Sequence, residues 1–387
     1  MKIVSIETHV IGNPWKNWVL VKVITDEGLW GWGDATNSSS PLSVKGAVTE
    51  ITRFCLGKDP LSPRHVWEEM FIALNLPVRG TILSAMAGIE TACWDILGKS
   101  LGAPLYTLLG GKVNPRVKAY ANGWYKGTRE PSFFADRAAE VVERGYQALK
   151  FDPFGAAYRI LDRAERRFVL SIVRAVRDSV GPDIDILIET HDRLTVPEAI
   201  KIADDLDAMG VTWMEAPVWA YDVAALVKVA ESTSMRIVAG ERFTTLRAFA
   251  DLLACGRIDV VQPEYIELGG VSRLVQAAAI AEAYQATIAP HNARSPLSTA
   301  VNVHVDTATR NVFLQETFND FHVGWVDEIF DGLPLVVDGH FSASDAPGLG
   351  VSINEKAMAK HPYSEKNHMR MFTPGWEARF SEDAKTA

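Results

Sequence analysis

Residues 184–192 read Ile-Asp-Ile-Leu-Ile-Glu-Thr-His-Asp, a short apolar run that ends in a carboxylate and an imidazole. The pattern returns as Trp213-Met-Glu-Ala-Pro and as Ile237-Val-Ala-Gly-Glu-Arg, and each run is followed by a polar turn and an amphipathic segment. Near-continuous apolar runs are typical of parallel strands that are covered on both faces. The stretch from 184 to 242 therefore predicts consecutive strand–helix units of an α/β fold.

The same unit repeats outward in both directions, from about residue 116 to residue 320. The predicted strand ends are Asn122, Asp152, Glu189, Glu215, Glu241, Glu264, His291 and Glu316. The last six positions are separated by 26, 26, 23, 27 and 25 residues. Eight units of about 25 to 30 residues predict a TIM-type (β/α)8 barrel. A doubly wound sheet is the alternative, but no GxGxxG motif follows a strand, and such a sheet would account for less of the repeat.

The segments on either side of the repeat differ from it. Before it, two alternating strands and then helical stretches, the last ending near Leu101, predict an α+β module. The turn-rich sequence Leu109-Gly-Gly-Lys-Val-Asn-Pro closes this module. After the repeat, residues 335–353 alternate like strands in a tail too short for a domain, so we expect the tail to pack on the N-terminal module. The predicted parts are a capping domain (1–115), a catalytic barrel (116–320) and a C-terminal segment (321–387).

The composition excludes several classes of protein. The 387 residues are 48% hydrophobic and carry a formal charge of −9 without a Lys/Arg-rich run, so we expect no nucleic-acid partner. Cys55, Cys93 and Cys255 form no CxxC pair, which argues against a disulfide framework or a thiolate zinc site and favours a reducing compartment. No signal-type apolar core opens the sequence, and no run reaches the roughly 18 apolar residues of a membrane span. These features predict a soluble cytoplasmic protein with no membrane partner.

Three glutamates end the third, fourth and fifth predicted barrel strands. In a barrel, residues at the C-terminal ends of the strands converge on one mouth, so Glu189, Glu215 and Glu241 should lie close together. Burying three carboxylates without compensation is unfavourable, and a hard divalent cation removes that penalty. All-oxygen ligation with no nearby cysteine favours Mg²⁺ over zinc. The alternative for each glutamate is a surface ion pair at the start of a loop.

Two histidines lie at strand ends of the same mouth. His191 follows Glu189 by two residues, so strand alternation directs both side chains to the same side. His291 ends the seventh strand and Glu264 ends the sixth, which lets the carboxylate fix the tautomer of the imidazole and raise its basicity. A structural role for His191 and a structural His–Glu pair are the alternatives.

Lys150 and Asp152 share one side of the second strand by the same alternation. Three glutamates and one Mg²⁺ sum to −1, and an anionic substrate adds to that charge, so Lys150 could supply the missing positive charge. Glu316, at the end of the eighth strand, could bind a substrate hydroxyl or, if protonated, an oxyanion. A carboxylate that caps the following segment is the alternative for Glu316.

Several sequence motifs carry a family resemblance. They are Tyr120-Ala-Asn-Gly-Trp-Tyr, Ala148-Leu-Lys-Phe-Asp-Pro-Phe-Gly, Ile186-Leu-Ile-Glu-Thr-His, Ala239-Gly-Glu-Arg, Pro290-His-Asn and Pro347-Gly-Leu-Gly-Val-Ser-Ile-Asn-Glu-Lys. Over nearly the whole chain, the sequence resembles the gluconate and galactonate dehydratases of the mandelate-racemase-like branch of the enolase superfamily. The resemblance implies a Mg²⁺-dependent dehydratase that converts a small sugar acid to a 2-keto-3-deoxy acid. We also expect a homo-oligomer.

Carried over position by position, the resemblance implies roles for the site residues. The metal ligands would be the three glutamates. His291, paired with Glu264, would abstract the proton α to the substrate carboxylate to give an enediolate, and His191 would protonate the β-hydroxyl that leaves. Lys150 and Glu316 complete the predicted catalytic set.

The predicted substrate-binding residues are Asp152, Arg79 and Arg242. Specificity would come from the cap, because the segments Gly31–Pro41 and Asn75–Gly80 are turn-rich and could close over the barrel mouth as lids.

The sequence departs from the family pattern at four places. Racemases carry a second lysine two residues after the first on the second strand, and Asp152 at that place disfavours two-base racemisation. Glu264 stands where the family mostly has aspartate, Ala216 replaces the second glutamate of Glu-Glu-Pro, and Asp192-Arg-Leu replaces Gly-Arg-Phe, so the substrate stays open. The alternatives are an epimerase or cycloisomerase that uses the same enediolate, and a non-catalytic sugar-acid-binding protein.

Overall fold

The computed structural model describes residues 1–37, 39–75 and 78–376. The elements of its N-terminal part are β1 (Ile3–Ile11), β2 (Trp18–Thr25), β3 (Trp30–Asp34), α1 (Pro41–Cys55), α2 (Pro63–Leu74), α3 (Thr81–Leu101) and α4 (Leu105–Leu108). The strands form an antiparallel sheet in the order β1-β2-β3, and α1 and α3 pack against it. This arrangement is the predicted α+β module.

Two glycines bring β3 into direct contact with α3. A Cβ on Gly31 would lie 2.1 Å from the carbonyl oxygen of Ala92, and one on Gly33 would lie 2.0 Å from that of Gly88. A side chain at either position would therefore force the strand and the helix apart. These glycines fix the sheet of the cap against its longest helix.

Of the two expected lid segments, the first begins within β3 but also contributes Ser39 to the cavity at the barrel mouth. The closure of either segment over this mouth stays a prediction. In Gly31–Pro41, the residues up to Asp34 belong to β3, so the glycines that suggested a turn serve close packing instead. Ser38 lies outside the described residues. In Asn75–Gly80, positions 76 and 77 also lie outside them.

The (β/α)8 barrel is confirmed. Its strands within the described ranges are β4 (Val117–Ala121), β5 (Ala148–Phe151), β6 (Asp185–Glu189), β7 (Trp213–Glu215), β8 (Ile237–Val238), β9 (Val260–Val261), β10 (Thr287–Ile288) and β11 (Gln315–Thr317). Parallel pairing runs β11-β4-β5-β6-β7-β8, and β9 pairs with β10. Parallel bridges between Ala239 and Val261 and between Ile288 and Val312 join the two groups and close the ring.

Helices connect the strands and form the outer layer of the barrel. They are α5 (Pro131–Glu143), α6 (Arg163–Val180), α7 (Val196–Asp207), α8 (Val223–Glu231), α9 (Leu246–Leu253), α10 (Tyr265–Leu268), α11 (Val271–Ala283) and α12 (Pro296–Thr307). The barrel interior is filled by an apolar cluster with a member on or beside each strand: Tyr120, Ala148, Leu187, Trp213, Val238, Val260, Ala289 and Leu314. A filled interior leaves the barrel mouth as the place for a site.

The chain after the barrel contacts both other parts. Its elements are a 3₁₀ turn (Asn319–Phe321), α13 (Val326–Ile329), β12 (Phe330–Asp331), β13 (His340–Phe341), β14 (Ser352–Ile353) and α14 (Glu355–Met358). β13 pairs with β4 of the barrel, whereas bridges from Gly348 to Pro104 and from Pro362 to Ile11 attach the tail to the N-terminal part. Residues of the segment 369–376 then reach the barrel mouth, which the sequence did not predict.

Two further expectations concern the whole chain. The division at residues 115 and 320 remains our proposal for the domain boundaries. Among the helices of the described ranges, none has the length and apolar composition that a membrane span requires.

Candidate active site

The carboxyl ends of the barrel strands open into a cavity of about 360 Å³. The predicted site residues on its wall are Lys150, Glu189, His191, Glu241, Arg242 and His291. The loop between β1 and β2 and the C-terminal tail add Trp15, Lys16, Met369, Met371, Phe372 and Trp376 to the wall. All three parts of the chain therefore contribute to one cavity.

The three predicted metal ligands lie together. Glu189 and Glu215 are partners in the β6–β7 register, and carboxylate oxygens of Glu189, Glu215 and Glu241 lie within 4.8 Å of one another. Glu215 Oε2 is buried and has no hydrogen-bond partner in the described structure. Burial and the neighbouring Glu189 raise the pKa of Glu215 well above its ordinary value. An unpartnered oxygen within an all-carboxylate set fits a divalent cation, so these residues could hold one.

Lys150 is buried among carboxylates. Its Nζ lies 2.7 Å from Glu215 Oε1, 2.9 Å from Glu316 Oε1 and 3.3 Å from Glu189 Oε2. Burial by itself lowers the pKa of Lys150, but Glu215 and Glu316 raise it well above its ordinary value. The lysine therefore stays protonated and holds its ammonium group at the base of the cavity.

Glu316 lies beneath Lys150 and is not among the described residues on the cavity wall. Its carboxylate accepts hydrogen bonds from Asn122 Nδ2 and from the Asn292 amide, both at 2.7 Å. Burial raises the pKa of Glu316, but Lys150 and His291 lower it to about 2. An ionised Glu316 is an acceptor, so the geometry favours this state over a protonated donor, and the residue does not cap the 3₁₀ turn that follows.

His291 belongs to a histidine–carboxylate–arginine unit. Its Nδ1 lies 2.5 Å from Glu264 Oε2, and the same oxygen accepts from Arg294 Nε at 3.0 Å. His291 Nε2 lies 3.0 Å from Glu241 Oε2. Burial lowers the pKa of His291, but the negative charges of Glu241 and Glu316 raise it to about 10. A cation held by Glu241 would offset the larger of these two raising effects and favour the neutral imidazole.

His191 belongs to a second unit of the same kind. Its Nδ1 lies 2.7 Å from Asp152 Oδ2, which also accepts from the Arg193 guanidinium, and the Phe154 amide donates to Asp152 Oδ1 at 2.9 Å. Although burial raises the pKa of Asp152, Arg193 and His191 lower it below its ordinary value. Asp152, which the sequence predicted to bind substrate, is fully buried behind His191 and is not among the described residues on the cavity wall.

The backbone after β6 explains how His191 reaches the cavity. β6 ends at Glu189, and His191 and Asp192 have φ angles of 47° and 59°. Non-glycine residues with positive φ are uncommon, and strained backbone clusters at functional sites. The His191 amide donates to Glu189 Oε1 at 2.7 Å. Glu189 and His191 are thus neighbours because of this left-handed turn and not because of strand alternation.

The two predicted substrate-binding arginines have different places. Arg242 lines the cavity, where its Nε lies 2.5 Å from Asp192 Oδ2 and 3.1 Å from Glu241 Oε1. Arg79 precedes α3 and is not among the described residues that line this cavity. The structure therefore brings Arg242 but not Arg79 to the site.

Four residues around the histidines were missed in the sequence. Arg193 and Arg294 follow their histidines by two and three positions, a parallel that the sequence already contains. The ring of Trp376 lies edge-on to His191 at 6.2 Å, and the ring of Phe372 lies 4.7 Å from the Arg193 guanidinium. No local signal marks these two tail residues, because their partners are far away in the sequence.

Comparison with known families agrees with this geometry. Residues 6–110 match the N-terminal domain of the mandelate racemase/muconate lactonizing enzyme family, and residues 134–357 match the enolase C-terminal domain-like family. The chain belongs to the mandelate racemase/muconate lactonizing enzyme family. The resemblance to this branch of the enolase superfamily is thereby confirmed.

Individual relatives are similar over most of the chain. The chain is 37% identical to D-gluconate dehydratase of Thermoproteus tenax over 346 aligned residues. This alignment covers 89% of this chain and 69% of the relative. It is 32% identical over 382 aligned residues to D-gluconate/D-galactonate dehydratase of Picrophilus torridus, and this alignment covers 96% of this chain and 97% of the relative. Among solved structures, a mandelate racemase/muconate lactonizing enzyme-like protein from Roseovarius sp. TM1035 is similar with a TM-score of 0.89 at 30% identity, over 96% of this chain and 98% of that chain.

Proposed function

We propose that this enzyme is a Mg²⁺-dependent hydro-lyase that dehydrates an aldonate, such as gluconate or galactonate, to a 2-keto-3-deoxy acid. The observation that carries the proposal is the presence of two histidine–carboxylate–arginine units at one cavity with three clustered glutamates. Dehydration needs a base for the α-proton and an acid for the β-hydroxyl, and two such units can supply one each. The names of the relatives at 32% and 37% identity support the same substrate class.

Glu189, Glu215 and Glu241 would hold the metal. Mg²⁺ accepts carboxylate ligands and keeps positions open for substrate oxygens, which an all-glutamate set suits better than it suits zinc. When bound, the ion would supply Lewis-acid stabilisation of the negative charge that develops on the substrate carboxylate.

Lys150 provides a fixed positive charge for the same purpose. A proton α to a carboxylate is only weakly acidic, so the negative charge formed on its removal needs preorganised stabilisation. The ammonium of Lys150 is already held in place by Glu215 and Glu316, and it needs no reorganisation when the charge develops. We assign Glu316 a positioning role, because it holds the ammonium group of Lys150 and does not act on the substrate itself.

We assign the base to His291. Glu264 accepts a hydrogen bond from Nδ1–H, so the hydrogen-bond network leaves Nε2 as the nitrogen that takes the α-proton. Arg294 lowers the pKa of the Glu264 carboxyl despite its burial and keeps it ionised for this contact. Nε2 faces Glu241, so the basic nitrogen lies beside a proposed metal ligand, where the α-carbon of a bound carboxylate would come.

We assign the acid to His191. Asp152 accepts a hydrogen bond from Nδ1–H and stabilises the imidazolium, which can then deliver the Nε2 proton to the departing β-hydroxyl. His191 follows β6 and His291 follows β10, which lie four strands apart in the ring of eight described strands. Acid and base on opposite sides of the mouth favour anti elimination.

Product analysis with a panel of mono- and diacid sugars tests the proposal. With Mg²⁺, we expect a 2-keto-3-deoxy acid from at least one aldonate, and no product from the chelated enzyme. An epimer or a cyclic product without keto acid would indicate the epimerase or cycloisomerase alternative. Binding of sugar acids without any turnover would indicate a non-catalytic binding protein.

A further inference from the structure

Lys16 is a buried lysine on the cavity wall that the proposed mechanism does not use. It lies in the loop between β1 and β2 and is only 3% exposed. The tail holds this loop, since the Gly12 amide donates to the His361 carbonyl at 2.8 Å and Asn17 Nδ2 donates to the Ser364 carbonyl at 2.9 Å. Within the described ranges, no hydrogen bond or ion pair engages the Lys16 ammonium. A held, buried and unpartnered donor on a cavity wall indicates a ligand contact.

The charges around Lys16 leave no excess of positive charge. Burial is the main cause that lowers the pKa of Lys16 to about 7, and the nearby Arg294 lowers it further. The carboxylates of Glu264, Glu241 and Asp34 act in the opposite direction. Arg294 is already paired with Glu264 and Glu267, and the Glu267 carboxylate on the cavity wall would repel a second negative charge on a ligand.

Glu267 supplies an acceptor on the same wall. It lines the cavity, its side chain is 18% exposed, and its Oε1 lies 3.2 Å from an Arg294 nitrogen. Arg294 thus links Glu267 to the surroundings of Lys16. A lysine ammonium only donates hydrogen bonds and a carboxylate only accepts them, whereas a hydroxyl group does both.

We propose that Lys16 and Glu267 bind the uncharged hydroxyl groups at the distal end of the sugar acid and select acids with one carboxylate over diacids. The inference rests on the proposed function for the direction of the substrate. If the carboxylate of the bound sugar acid lies at the glutamates of the barrel, the rest of the sugar acid extends toward the cap loop that carries Lys16.

Ligand binding by the Mg²⁺-loaded His291→Asn protein, which cannot turn substrate over, tests the subsite. The probes are D-gluconate, the diacid D-glucarate and the short D-glycerate, which has the reacting carbons but no distal hydroxyls. Lys16→Met should weaken gluconate binding about 10- to 100-fold, the effect of losing a hydrogen bond to a charged group, and should leave glycerate binding unchanged. Lys16→Arg should retain part of the affinity for gluconate.

Lys126→Met is the matched control, because Lys126 is another lysine near this loop. Its Nζ donates to the Phe321 carbonyl at 2.6 Å and lies 5.2 Å from the ring of Trp15, but it does not line the cavity. This variant should keep the preference for gluconate over glycerate.

Three results would overturn the subsite. They are gluconate binding within twofold of the parent in Lys16→Met, an equal loss for glycerate, and tighter binding of glucarate than of gluconate by the parent. Failure of the proposed function has a different signature, since the wild-type enzyme would then bind gluconate in a Lys16-dependent way without forming keto acid.

Discussion

Replacing Asp152 by asparagine tests whether the second histidine unit acts as the acid. Asp152 does not reach the cavity, so it can affect the reaction only through His191, whose Nδ1 lies 2.7 Å away. Asparagine keeps the shape but loses the charge that stabilises an imidazolium. Its amide oxygen can accept from His191 and Arg193 only if the NH₂ group takes the place of Oδ1, where it faces the Phe154 amide, which is itself a donor.

The loss of kcat in Asp152→Asn cannot exceed the full contribution that a general acid makes to the rate. That contribution is typically about 10²- to 10⁴-fold, so we expect Asp152→Asn to lower kcat for dehydration by about 10²-fold. Exchange of the substrate α-hydrogen with deuterated solvent depends on His291 and should persist. Leaving the buried Arg193 without its carboxylate should also lower the free energy of unfolding by about 3–5 kcal/mol, which denaturant titration measures.

The decisive assay compares keto-acid formation with the deuterium content of recovered substrate. Because both residues act through one imidazole, adding Asp152→Asn to His191→Asn should leave the residual dehydration rate unchanged. Asp185→Asn is the matched control, since Asp185 pairs with Lys118 at 2.7 Å at the opposite end of β6. Additive losses in the double variant, or a parallel loss of exchange and dehydration in Asp152→Asn, would refute the reasoning.

Three further predictions concern the metal, the base and stability. Glu215→Gln, like chelation of the wild-type enzyme, should abolish turnover with the fold intact by circular dichroism, and only the chelated wild type should regain activity with added Mg²⁺; full activity after exhaustive chelation would contradict the metal site. His291→Asn should stop both dehydration and α-hydrogen exchange, and exchange near the wild-type rate would exclude His291 as the base. Burial lowers the pKa of His304 to about 4, so this imidazole is neutral in the folded protein at neutral pH. Below pH 6.5 the unfolded state takes up a proton that the folded state does not, and the free energy of unfolding should therefore fall as the pH is lowered toward 4. Between pH 7.5 and 5 this loss is about 2 kcal/mol in denaturant titrations, and His304→Gln should remove it; an unchanged pH dependence in the variant would show that other groups cause it.

The barrel residues of the site could be predicted because a parallel barrel converts a sequence period into a ring in space. Glu189, Glu215 and Glu241 recur every 26 residues, and the registered strands bring their oxygens within 4.8 Å of one another. The same convergence placed Lys150 and His291 on the cavity wall. These predictions needed only the strand period and no knowledge of side-chain packing.

Side-chain directions beyond the strand ends and long-range contacts could not be predicted in this way. Alternation places Lys150 and Asp152 on one side, but β5 ends before Asp152, whose side chain turns to Arg193. The assignment of Arg79 relied on a turn-rich segment, which carries no information on distance from the site. Trp376 donates a hydrogen bond to a carbonyl 221 residues earlier, and no local pattern encodes such a contact.

The two histidine units reach the same geometry with carboxylates of different length. Glu264 is one methylene longer than the aspartate that the family resemblance led us to expect, and it has one more rotatable bond to restrain. Arg294 supplies that restraint by binding the oxygen that contacts His291, whereas the shorter Asp152 is fixed in part by the backbone amide of Phe154. In both units an arginine keeps the carboxylate ionised. The ionised carboxylate accepts a hydrogen bond from Nδ1–H, which keeps the proton on that nitrogen and leaves Nε2 for the substrate. The departure at position 264 therefore preserves the orientation of the base and gives no reason to expect a different reaction.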